Sequence, residues 1–148
     1  MEYKSSWRVL RKAGYASISQ MAQVLLYGVQ RQDLIQFLKN HRVNRLLVGW
    51  ETGFLCKGGL AWVVAETIFV NSPLRITLRP DRISCWIEDL GHEIGHLLAW
   101  DFGSLPLLSR GEENFAEMFG NLWASKKGER LKARKIFCRL IKEREIIL

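Results

Sequence analysis

The sequence has little cysteine, little histidine and no uninterrupted apolar run of membrane length. Its three cysteines, Cys56, Cys85 and Cys138, are odd in number and form no C-x-x-C. That argues against a disulfide framework and for a reducing, cytoplasmic setting. The longest apolar stretch, Leu60 to Val70, is interrupted by Glu66 and is too short to span a bilayer, so no membrane partner is expected. Lys and Arg stand near the N-terminus, but no clean apolar segment with a small-residue cleavage site follows, so no signal peptide is expected. Repeats and low-complexity segments are absent. What is present is ordinary for a globular chain: 148 residues, 48% hydrophobic and 25% charged. One domain over residues 1–148 is the expectation, long enough to bury a proper core.

Acidic charge is scarce at one end only. Residues 126–148 hold nine Lys/Arg and three Glu, a balance of +6, while the rest of the chain contributes +1 to the net +7. The basic segment predicts a C-terminal helix that docks through Ala133, Ile136, Phe137, Leu140 and Ile141 and leaves its cations in water. A basic stripe is an electrostatic footprint rather than a recognition motif, so nucleic acid is not the expected partner.

Two of the three histidines fall within one stretch, Cys85 to Trp100, reading CWIEDLGHEIGHLLAW. It contains His92-Glu93-Ile94-Gly95-His96, an H-E-x-x-H. Residues four apart on a helix share a face, so His92 and His96 can aim ring nitrogens at one metal ion. Glu93, one step round, is placed as the general base on a zinc-bound water. The helical wheel puts Ile87, Leu90, Ile94, Leu97 and Leu98 on one side. His92 and His96 fall roughly opposite, with Cys85, Asp89 and Ala99. The stretch predicts a helix with a core side and a chemistry side. Asp89 is placed either to orient a ligand ring or simply to face water; Cys85 reads as a small packed residue.

A catalytic zinc site needs a third protein ligand. The metzincin pattern is excluded, because Ala99 and Phe102 stand where its Gly and His belong. His41 lies far upstream. The helix predicted over Arg110–Ser125 offers Glu112, Glu113 and Glu117. Its bulky residues, Phe115, Met118, Phe119, Leu122 and Trp123, form one stripe, with Glu112 at the edge. The opposite face carries Glu113, Ala116, Glu117, Gly120 and Ala124, whose small residues would let this helix approach the metal helix closely. Glu113 is the expected ligand and Glu117, one turn on, the alternative.

Elsewhere the periodicity predicts helices over Ser17–Tyr27, with Ser17 as N-cap and Gly28 as stop, and over Asp33–Arg42. Short β-rich segments at Arg45–Glu51, Gly53–Lys57, Leu60–Val64 and Glu66–Asn71 read as a small, mostly antiparallel sheet, with Gly58-Gly59 as a turn. A loop to Pro80 follows, with Asp81 as the cap of the metal helix, and a further loop covers Asp101–Ser109. The last helix is predicted over Gly128–Leu148.

From about Gly49 to Ala124 the sequence resembles the ImmA/IrrE-type metallopeptidases. The resemblance rests on Thr67-Ile68-Phe69-Val70-Asn71-Ser72-Pro73-Leu74, on Leu90-Gly91-His92-Glu93-Ile94-Gly95-His96-Leu97-Leu98, and on Glu113-Asn114-Phe115-Ala116-Glu117-Met118-Phe119-Gly120. The last is similar to that family's E-x-x-A-N-x-F-A, with Glu117 in place of Asn and Gly120 in place of Ala. The resemblance implies His92, His96 and Glu113 as zinc ligands and Glu93 as the catalytic carboxylate. It implies cleavage of a helix-turn-helix repressor, which relieves repression of mobile-element or stress-response genes. The expectation is therefore an α+β, zincin-like fold, a small sheet packed by helices with the metal held between two of them, acting as a zinc endopeptidase on a protein substrate. The rival is a non-catalytic, metal-containing or basic binding protein that engages a transcription regulator or nucleic acid.

Overall fold

The computed structural model describes residues 18–50, 61–65, 74–101 and 110–148. In chain order these form α1 (Ile18–Gln30), α2 (Leu34–Asn40), β1 (Val43–Val48), β2 (Ala61–Ala65), β3 (Leu74–Leu78), a 3₁₀ turn (Pro80–Cys85), α3 (Trp86–Asp101), α4 (Arg110–Ala124), α5 (Lys127–Glu143) and β4 (Glu145–Ile147). The α+β class expected from the sequence holds. The strands predicted at 53–57 and 66–71, the Gly58-Gly59 turn, the Ser17 cap and all of the loop predicted over Asp101–Ser109 but its first residue lie outside the described residues; Asp101 is the last residue of α3.

The sheet has the order β2-β3-β1-β4. It is mixed: β1 and β3 run parallel, while β2 with β3 and β1 with β4 are antiparallel. Two of its members correct the sequence reading. Leu74–Leu78 was expected in a loop, because Pro73 and Pro80 flank it, yet it is a central strand. Pro80 stands past its end, where a missing N–H costs the ladder nothing, and Ile76 and Leu78 are fully buried, paired with Leu46 and Val48 of β1. The chain was also expected to stay helical to Leu148. Instead Arg144 takes a left-handed conformation, φ 66°, as the C-cap of α5. That ends the helix and turns Glu145–Ile147 back along β1, with Ile146 buried.

Local chemistry accounts for the element ends. Asp33 caps α2, its side chain accepting from the Gln36 N–H at 3.0 Å. At α1 the helix runs through Gly28 to Gln30, beyond the expected stop. Asp81 does not cap the metal helix. It sits in the 3₁₀ turn, where its carboxylate accepts two hydrogen bonds from Arg79, at 3.1 and 2.8 Å. Trp86 begins α3 and donates its indole N–H back to the Arg79 carbonyl at 2.9 Å.

Helix α3 is the hub. It packs on β2 and β3, on α5, and most extensively on α4, which is itself backed by α1. Every residue from Leu90 to Ala99 except His92 is buried. The side of α3 opposite its apolar stripe is covered by α4, as the small residues of that helix lead one to expect, and Asp89, His96 and Ala99 are buried. In α5, Ala133, Ile136, Phe137 and Leu140 are buried as predicted, whereas Ile141 is 56% exposed, past the end of the stripe. No helix among the described residues is long and apolar enough to cross a membrane.

Candidate metal centre

The site forms where α3 and α4 come unusually close. Gly91 and Gly95, one turn apart on α3, meet Gly120 and Ala116, one turn apart on α4. A β-carbon on Gly95 would stand 2.7 Å from the Ala116 Cα. Helices with ordinary side chains at the contact lie about 8–10 Å apart; here backbone meets backbone. The small face of α4 was legible in Ala116 and Gly120. The matching Gly91-x-x-x-Gly95 of α3 was missed, and its signal was the same i, i+4 spacing of small residues.

This approach carries Glu113, near the start of α4, over the histidine pair of α3. The Nε2 atoms of His92 and His96 are 3.1 Å apart, with the rings nearly perpendicular at 77°. His92 Nε2 lies 3.3 Å from one Glu113 oxygen and His96 Nε2 lies 3.0 Å from the other. One ligand atom from each of the three residues falls within 4.8 Å of the others, a group that could hold a metal ion. Glu117, the alternative ligand, and Cys85 are not part of that group among the described residues.

The separations fit a small tetrahedral cation. Zinc–nitrogen bonds of about 2.0–2.1 Å put neighbouring ligand atoms about 3.3–3.4 Å apart. Three acceptor-bearing groups converge here, and a cation is what all three can share. The His92 imidazole is held below the usual histidine range. Burial is the main cause and a charge on His96 the second, opposed by Glu113 and Glu117. A neutral imidazole is the form that ligates. The site is graded in exposure: the His96 side chain is 8% exposed, that of His92 29% and that of Glu113 49%. Glu93, between the two histidines in sequence, is 2% exposed.

The surrounding residues divide clearly. Asp89 is buried rather than solvated, and among the described residues its carboxylate faces the Arg82 guanidinium, at 3.5 Å. His41 sits at the end of α2, its Nδ1 2.9 Å from the Phe37 carbonyl. Tyr27 is exposed on α1, with Arg31 over its ring. Compared with family models, curated proteins and solved structures, the chain gives no match.

Proposed function

We propose that this chain is a zinc-dependent endopeptidase. The observation that carries the reading is the convergence of His92, His96 and Glu113 on one point, with the buried Glu93 on the same helix. In this reading His92 and His96 hold the metal through Nε2 and Glu113 through its carboxylate. Zinc, when bound, would supply Lewis-acid polarisation of the scissile carbonyl and a water made acidic enough to attack near neutral pH. Glu93 is then the proton acceptor and later the donor to the leaving amine. It is buried, and it directly follows His92 on α3. The exposed Glu113 and half-open His92 leave one flank of the centre accessible, which a polypeptide substrate requires.

For the substrate class we propose a helix-turn-helix repressor, on the strength of the likeness of residues 67–74, 90–98 and 113–120 to the ImmA/IrrE-type metallopeptidases. Co-expression with candidate repressors tests both claims. Wild type is expected to cleave one of them, and Glu93→Gln, which keeps size but removes the base, to lose about 10²–10⁴ in rate. Cleavage by Glu93→Gln at the wild-type rate would sink the catalytic assignment.

A second reading rests on a separate observation. Lys127, Arg134, Lys135 and Lys142 stand exposed on the outward face of α5 and make no ion pair among the described residues. In that version the protein binds a polyanion without catalysis. Salt-sensitive retention of DNA by the full chain, with no proteolysis, would favour it.

A further inference from the structure

Helix α5 is tied to the helices that carry the site through two buried side chains, its own Glu129 and Trp123 of α4. Glu129, in its first turn, is 2% exposed, and a carboxylate so placed needs partners for both oxygens. One oxygen accepts the indole N–H of Trp123 at 2.9 Å. The other accepts from Lys132 at 2.8 Å. The same ammonium donates to the carbonyls of Gln30 and Gln32, at 3.0 and 2.8 Å, where α1 ends. Glu129 therefore fastens the end of α4 to α5 and, through Lys132, to α1.

Trp123 is the piece that meets the site helix. It is fully buried, and its Cε3 lies 2.8 Å from where a β-carbon on Gly91 would stand. Gly91 precedes His92, and Gly120, one turn before Trp123, packs on the His92 backbone. The indole thus fills the α3–α4 contact at the end away from Glu113, and its N–H has one direction that is satisfied, toward Glu129. Turning the ring would leave a buried donor unpaired. The separation of α3 and α4 is also what sets Glu113 against His92 and His96.

We propose that Glu129 is a positioning residue for the metal centre. It acts through Trp123, holding α4 at the spacing from α3 that lets Glu113 join the two histidines. The inference rests on the reading of His92, His96 and Glu113 as metal ligands. The basic segment is then part of the site's support, although none of its side chains touches the site.

The test is zinc affinity, measured by competition with a chromophoric chelator, alongside thermal unfolding of the zinc-free proteins. Glu129→Leu removes the acceptor and is expected to weaken zinc binding about tenfold or more, the lower range for losing a support of a metal site. Glu129→Gln keeps a carbonyl for the indole N–H and should stay within about threefold of wild type. Trp123→Phe should also weaken binding. Adding Glu129→Leu to it should cost little more, because the effect runs through the indole. Undiminished affinity in Glu129→Leu, or a double variant in which the two losses simply add, overturns the inference. If Glu129→Leu does not fold, Trp123→Phe decides, and wild-type affinity there overturns it. Wild-type protein that takes up no zinc overturns the metal reading, and this inference falls with it. Wild-type uptake with an unaffected Glu129→Leu variant overturns this inference alone.

Discussion

The backbone nitrogen of His92 lies 2.8 Å from where a β-carbon on Gly120 would stand. A side chain at 120 therefore meets the main chain of the residue that carries the first imidazole, and main chain cannot swing aside as a flexible side chain can. Gly120→Ala should push α4 from α3 and cost about 1–3 kcal/mol, as overpacking in a core does. Equilibrium urea denaturation measures the loss. Zinc affinity should fall in the same variant, since the helix that carries Glu113 moves. A variant as stable as wild type would mean the helices have room to separate.

The ligand set makes a separable prediction. Wild type purified without added metal or chelator should carry about one zinc per chain. His92→Ala, His96→Ala and Glu113→Gln should each lose most of it, whereas Glu117→Gln should keep it. Elemental analysis of the five proteins decides. Retention by Glu113→Gln together with loss in Glu117→Gln would place the third ligand one turn further along α4.

A pH dependence follows from Asp89. Burial raises its carboxyl above the ordinary value of 3.8, and Arg82 offsets this only in part. A carboxyl raised in the folded state contributes stability below its unfolded pKa and loses it as pH rises through the folded one. At pH 7 the ionised Asp89 is thus a net cost. Asp89→Asn should be at least as stable as wild type at pH 7, and the difference should close as pH falls to about 4. Denaturation curves of the pair at the two pH values test the sign. A variant clearly less stable at pH 7 would mean the Arg82 pair outweighs burial.

The C-terminal segment should be indispensable to folding. Truncation after Ser125 removes Ile136, Phe137, Leu140 and Ile146 from the core. At about 1.5–3 kcal/mol for each large side chain, that is comparable with the whole stability of a typical domain. The truncated chain should lack a cooperative thermal transition by circular dichroism. A sharp transition at the wild-type temperature would show the segment to be an independent arm.

What could be read beforehand was whatever local periodicity encodes. The i, i+4 histidines, the small face of α4 and the stripe Ile136–Leu140 each depend on a neighbour three or four residues away, and each is where it was expected. Leu74–Leu78 was hidden because its strand character comes from β1 and β2 on either side, not from its own residues between two prolines. Ile146 was hidden because a left-handed Arg144 reverses the chain, and arginine gives no sign of that. The link from Trp123 to Glu129 and the pairing of Arg82 with Asp89 escaped notice for a different reason. They join residues six and seven apart, across element boundaries where helical spacing no longer tells which side chains meet.

The enclosure of α3 has a kinetic meaning. A helix wrapped on several sides has no partial opening that frees its amides, so those of residues 90–99 should exchange with solvent only when the whole fold opens. Among the described residues they should be the slowest to exchange. A metal that binds the native state and not the unfolded one lowers the frequency of that opening in proportion to its occupancy. The amide protons flanking His92 and His96 would then report metal binding through their exchange lifetimes, without any substrate having been identified.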